Sequence, residues 1–223
     1  MSVFDIMGPI MVGPSSSHTA GAARIGYTAK MILREAVSSA DISLHGSFLA
    51  TGKGHGTDKA LIAGLLGMKP DDDRIPFSFE IAEKEGLDFT FSGIELRNAH
   101  PNSVLMKLVG VNGSKLELQA SSIGGGQILI NKIDGVEADI CACNPTLIVH
   151  NIDKPGHVSL VTSILGQKEV NIGTMRINRD KRGGHAVMII ECDQEVPEDA
   201  LEALSNAAGV TNVTYLSMEE KIL

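Results

Sequence analysis

Residues 146–157 read Thr146-Leu-Ile-Val-His-Asn-Ile152-Asp153-Lys154-Pro155-Gly156-His157. A β-branched apolar run is followed by a proline- and glycine-punctuated turn, after which Val158, Val161 and Leu165 recur at helical spacing as far as Gly166. Downstream, Val170 to Asn178 and His185 to Cys192 flank Asp180-Lys181-Arg182-Gly183-Gly184, a hairpin by its turn chemistry. Pro197 then opens a helix carrying Leu201 and Leu204, Gly209 closes it, and Val213 to Leu216 makes a last strand. The order βαββαβ predicts a ferredoxin-like domain over residues 146–223.

The first 140 residues follow another rhythm. A helix is expected from about Thr19 to Val37, after a serine cluster, and a second from Asp58 to Leu66 with Thr57 as its N-cap. Two alternating runs between Val104 and Ala120 flank Asn112-Gly113, the strongest short-range hairpin signal. Residues Phe77 to Phe91 interleave charged and apolar side chains, and both strand and helix remain open there. The chain therefore reads as α+β in two domains, residues 1–140 and 146–223.

Composition narrows the function. Apolar residues make up 43% and charged residues 21% of 223, enough to bury a core, while aromatics at 4% with no Trp leave little surface for stacking bases, so nucleic acid is not expected. The net charge of −8 is spread over both domains, so neither is a basic arm. The longest candidate span, Leu61 to Met68, is short and broken by two glycines, so no membrane span is expected. With Asp5 first and no Lys or Arg before Arg24, a secretory leader is not expected, which makes the cytoplasm the expected location. The three cysteines, Cys141, Cys143 and Cys192, cannot close into a disulfide framework and lack zinc-ribbon spacing. Three thiolates would suit an iron–sulfur cluster with one open iron, although most protein clusters take four cysteines.

Four polar or glycine-rich stretches interrupt the aliphatic first domain: Gly13-Pro14-Ser15-Ser16-Ser17-His18-Thr19, Thr51-Gly52-Lys53-Gly54-His55-Gly56-Thr57-Asp58, His100-Pro101-Asn102 and Ser121-Ser122-Ile123-Gly124-Gly125-Gly126. Read as loops, two of them feed helix starts, where free N–H groups and hydroxyls suit a carboxylate or phosphate. Lys53 adds a positive charge, and His18 and His55 can exchange protons near neutral pH. Asp58 can orient a histidine or cap the second helix, and the cap is favoured. The second stretch is neither a Walker loop nor a dinucleotide fingerprint.

These motifs resemble the β subunit of iron–sulfur-dependent L-serine dehydratase across essentially the whole chain, and the βαββαβ tail with its Asp153-Lys154-Pro155-Gly156-His157 turn resembles an ACT domain. The N-terminal domain is also similar to the allosteric substrate-binding domain of some phosphoglycerate dehydrogenases. The resemblance implies deamination of L-serine to pyruvate and ammonia, with a [4Fe-4S] cluster ligated by an α subunit rather than by this chain, which alone would be inactive. It implies catalytic roles for His18 and His55, substrate binding by Ser15, Ser16, Ser17, Thr19 and Lys53, and no metal ligand here. The ACT resemblance implies side-by-side pairing and a small-molecule effector near Asp153, Gly156 and His157, unless Gly156 serves only the turn. A non-catalytic amino-acid-sensing subunit is the competing reading; it has no need of two histidines in glycine-rich stretches.

Overall fold

The computed structural model describes residues 11–141 and 143–216. The expected domain ends at 1–10 and 217–223 lie outside the described residues. The chain divides into two compact units, one of residues up to 135 with Asp139–Cys141, the other of Val136–Ala138 and residues 143–216.

The first unit has a six-stranded sheet of order β2-β1-β3-β4-β5-β6. Its strands are β1 (Val37–Leu44), β2 (Asp88–Gly93), β3 (Ser103–Gly110), β4 (Lys115–Gly124), β5 (Gln127–Ile133) and β6 (Val136–Ile140). β1 and β2 run parallel, and the ladder from β1 through β3 and β4 to β5 is antiparallel. The hairpin foreseen at Asn112-Gly113 joins β3 to β4, with Gly113 at φ 89°. Four helices accompany the sheet: α1 (Gly21–Leu33), α2 (Gly46–His55), α3 (Thr57–Leu65) and α4 (Ser78–Glu85).

Three sequence expectations are corrected. The first helix stops at Leu33, not Val37, because Arg34 turns left-handed at φ 63° and Val37 begins β1. Glu35, next along, accepts the N–H groups of Asn112 and Ser114 and ties this connection to the β3–β4 turn. The Thr51 to Asp58 stretch is not a loop: it is the end of α2 and the start of α3, with Gly56 at φ 68° as the only residue between them. Thr57 is therefore the first residue of α3, fully buried, and not its N-cap. The ambiguous Phe77 to Phe91 stretch holds one of each element, α4 and β2, separated at Gly86 with φ 75°.

α1 and α3 are buried nearly all round, as expected of helices without a solvent face. Their backbones touch. A Cβ on Gly26 would lie 2.3 Å from the Leu61 carbonyl oxygen, and one on Gly64 would lie 2.2 Å from that of Ala23. Only hydrogen at both positions permits this approach.

The second unit has β7 (Thr146–Ile152), α5 (His157–Gln167), β8 (Ile172–Arg179), β9 (His185–Cys192), α6 (Glu198–Ser205) and β10 (Val210–Leu216). The sheet order is β10-β7-β9-β8, all antiparallel, which is the ferredoxin-like arrangement of βαββαβ. Leu147, Val149, Met188 and Ile190 pack with Val161, Leu165, Ala200 and Leu204 of the two helices.

Gly64→Ala and Gly26→Ala are each expected to cost about 2 kcal/mol, the usual scale of overpacking a core. Because both push the same helices apart, the double variant loses less than the sum, a coupling that a denaturation cycle on the four proteins measures.

Candidate functional site

The four polar stretches converge on one region of the first unit. Ser15 caps a π-helical turn, Ser16–Ala20, that runs directly into α1. α2 crosses this turn, and the His100-Pro101-Asn102 turn holds both α2 and β4: Ser47 N–H donates to Pro101 O at 2.8 Å, and Ser122 N–H to Asn102 O at 2.9 Å. Below them, Ser103 Oγ and Ser121 Oγ form a buried hydroxyl pair 2.8 Å apart. Ser122 lies against Gly21, where a Cβ would come within 2.1 Å of its Oγ, and that oxygen is buried without a partner. Arg24 on α1 donates to Gly126 O at 2.9 Å and holds the glycine turn between β4 and β5.

His18 is half-buried at the centre. Its Nε2 lies 3.1 Å from Ser47 Oγ and 3.1 Å from Thr51 Oγ1. Thr51 Oγ1 gives its own proton to Ser47 O at 2.9 Å, so the network assigns the imidazole proton to Nε2 and leaves Nδ1 basic. Ser15 Oγ, which accepts the His18 N–H at 3.1 Å, is 3.5 Å from Nδ1. The ring meets Phe48 edge-on at 5.4 Å and His55 at 5.0 Å between centroids. Burial, and then the neighbouring His55, hold the His18 pKa below 6.5, outweighing the opposing effect of a hydrogen bond from the imidazole to the Ser47 backbone. The more exposed His55 donates Nδ1–H to Thr51 O at 3.2 Å, which leaves its Nε2 as the basic nitrogen.

The remaining expected residues divide. Ser16 and Ser17 stand at the start of the helix, where N–H groups precede the first intrahelical bonds. Their hydroxyls have no partner among the described residues. Thr19 is 97% buried and donates its hydroxyl to His55 O at 3.0 Å, so it ties the two histidine-bearing segments together and does not line a cleft. Lys53 is separated from the histidines: Ser47, Thr51 and His55 share one face of α2, while Lys53 follows Leu49 on the other and lines a different cavity. Asp58 lines that cavity too, and its Oδ1 accepts the Lys59 N–H at 2.8 Å in the first turn of α3. Ser47 and Phe48 were not singled out from the sequence. The position of Thr51 four residues after Ser47 is the signal that, once α2 is recognised as a helix, places both hydroxyls toward one partner.

In the second unit Asp153 is already engaged. Its Oδ2 accepts from Gly183 N and Arg179 Nη1, both at 2.9 Å, and these bonds, the backbone one first, hold its pKa below the ordinary carboxylate value. It fastens the β8–β9 turn rather than facing a ligand. Gly156, at φ 97°, leads into α5 without a side-chain cap. The His157 ring lies on Gly209, where a Cβ would be 2.3 Å away, and its Nδ1 is buried without a partner, as is Asn151 Oδ1.

The cysteines do not form a ligand set. Cys192 is buried in the apolar core of the second unit, where burial raises its pKa to about 11, while Cys143 is exposed. Among the described residues no three His, Cys, Asp or Glu side chains gather in a way that could hold a metal ion, and an iron–sulfur cluster does not fit them. No helix among those residues is long and apolar enough to cross a membrane.

Comparison with known proteins matches residues 2–84 to the family model of the serine dehydratase beta chain and residues 146–209 to that of the ACT domain. A Bacillus subtilis (strain 168) protein named probable L-serine dehydratase, beta chain, is 40% identical over 216 residues, 97% of this chain and 98% of that protein. The L-serine dehydratase beta chain of Peptoniphilus asaccharolyticus is 39% identical over 97% of this chain and 98% of its own length. D-3-phosphoglycerate dehydrogenase of Bacillus subtilis (strain 168) is 23% identical over 88% of this chain but only 37% of that enzyme.

An NMR titration of His18 is expected to show a midpoint below 6.5, rising toward that value in His55→Gln; a wild-type midpoint at or above 6.5 contradicts the geometry. With the folded pKa lowered, the unfolded chain takes up this proton first, so His18 destabilises the fold as pH falls below about 6.5 and has no effect well above it.

Proposed function

The chain belongs to the L-serine dehydratase β-chain family, and from that premise we propose that it is the β subunit of an α/β enzyme that converts L-serine to pyruvate and ammonia. The observation that carries this reading is the joining of His18 to His55 through Thr51 at the start of α1, beside the free hydroxyls of Ser16 and Ser17.

Elimination of water from serine needs two things: a base for the weakly acidic Cα proton and an electrophile for the departing hydroxyl. This chain supports the first. The lowered pKa keeps His18 neutral at physiological pH, so a second imidazole can sit 5.0 Å away without facing a full positive charge. His55 Nε2 is then the basic atom free to meet the substrate, and His18 Nδ1, near Ser15 Oγ, is a second proton acceptor. The substrate carboxylate suits the N–H groups and hydroxyls of Ser16 and Ser17 at the helix start, where the helix dipole favours an anion. Ser15 and Thr19 shape this turn instead of binding. The described residues hold no set for the electrophile, and we assign it to an iron–sulfur cluster on a partner α chain.

The ACT domain supplies a regulatory element. The uncapped start of α5 beside two buried unpartnered atoms, Asn151 Oδ1 and His157 Nδ1, supports a small-molecule effector there, with Gly156 and His157 as contacts and Asp153 as a support. Pairing of two such domains would make the assembly larger than one α/β unit.

His18→Ala and His55→Ala are each expected to lower serine turnover of the reconstituted α/β complex by about a hundredfold or more, the scale of a lost general base, with assembly retained on size exclusion. Near-normal pyruvate release from both variants contradicts the assignment.

A further inference from the structure

On the side of α2 that carries Leu49 and Lys53 lies a cavity of about 610 Å³, within the size range of small-ligand sites. It opens at the carboxyl ends of β1 and β2, where Leu44 pairs with Gly93 in the parallel pair of the sheet. Crevices at the carboxyl ends of parallel strands are where open sheets commonly take ligands. Two of the chain's six phenylalanines, Phe79 and Phe91, line this cavity beside Leu49, which is 51% exposed, and the fully buried Phe48 lies beneath. Phe89, tilted against Phe79 at 5.0 Å and edge-on to Phe91 at 5.9 Å, backs the aromatic wall.

Two charges share this apolar space. Lys53 has no hydrogen-bond or ion-pair partner among the described residues. The Asp58 carboxylate uses Oδ1 for the Lys59 N–H and keeps Oδ2 unbonded. Both line the cavity, yet they do not pair with each other. A ligand carrying only an anion would meet the Asp58 carboxylate, and one carrying only a cation would meet the Lys53 ammonium. A group bearing both charges answers both.

We propose that this cavity binds a free α-amino acid with an apolar side chain, its carboxylate on Lys53, its ammonium on Asp58 and its side chain among Leu49, Phe79 and Phe91. Serine, with no apolar side chain to bury against Leu49, Phe79 and Phe91, gains less from the same two charges. The site is separate from the histidine cluster and does not depend on the serine chemistry assigned there. α2 forms a wall of both, so occupancy of the cavity by leucine or phenylalanine would report amino-acid supply to the same helix that carries Thr51 and His55.

Isothermal titration of the full chain, without any partner, with L-phenylalanine, L-leucine and L-serine tests this. Saturable binding of the first two and weaker binding of serine are expected, with Lys53→Met and Asp58→Asn each weakening phenylalanine roughly tenfold or more. Asn at 58 retains an acceptor for the Lys59 N–H, and circular dichroism checks that both variants fold. 3-Phenylpropionate, which lacks the ammonium, should bind wild type more weakly than phenylalanine, and Asp58→Asn should remove that difference. Absence of saturable binding at millimolar phenylalanine and leucine overturns the proposal. So does binding that survives both substitutions, which would place the amino acid elsewhere on the chain. Since the readout is binding to the lone chain, its failure leaves the histidine assignment standing, and failure of the histidine assignment leaves this one standing.

Discussion

The contact on which the histidine cluster depends is the crossing of α1 and α3 at Gly26 and Gly64, where backbone meets backbone with no side chain between. α1 continues from the π-helical turn that carries His18, and α3 follows α2, the bearer of Thr51 and His55, after Gly56 alone. Bringing α1 and α3 together therefore brings the two histidines together. The Thr19 hydroxyl bond to His55 O locks the same pair of segments at their ends. A π-turn at this point fits the general pattern, since such irregularities recur at functional sites.

α2 is ten residues long and has two distinct faces. Ser47, Thr51 and His55 sit toward His18 and form a hydroxyl–imidazole network; Leu49 and Lys53 sit toward an aromatic cavity with Asp58. Hydroxyls and imidazoles near a depressed histidine pKa suit proton transfer. Apolar walls with one charge of each sign suit holding an amphipathic molecule still. The described residues contribute hydroxyls and imidazoles, the part of the chemistry that the proposed shared active site asks of this chain.

Much of the second unit was legible in the sequence because its signals are local: Pro155-Gly156, Gly183-Gly184 and Pro197 punctuate alternating apolar runs, and each falls at the boundary it marks. The first unit was less legible where tertiary packing overrides local preference. Gly52, Gly54 and Gly56 made residues 51–58 look like a loop, yet Phe48 is fully buried and Gly52 packs on Thr57, and these contacts hold α2 helical despite its glycines. Once that stretch is a helix, the parting of Lys53 from His55 follows from the 3.6-residue turn, and the pairing of Ser47 with Thr51 follows with it. The end of α1 carried no glycine, and Arg34 takes the left-handed position instead, so nothing in the residues marked it. His18 and His55 stand out as candidates from their surroundings in the sequence, whereas their 5.0 Å separation arises only from the helix crossing.

The central claim is that this chain completes an active site whose electrophile lies on a partner. Its most direct measurement is anaerobic reconstitution: pyruvate release from L-serine and visible cluster absorbance, for this chain alone, the α chain alone and the two together. The account predicts a colourless and inactive lone β chain, cluster absorbance that travels with the α chain, and turnover only in the mixture. A coloured, active β chain on its own, or an α chain fully active without it, would contradict the claim.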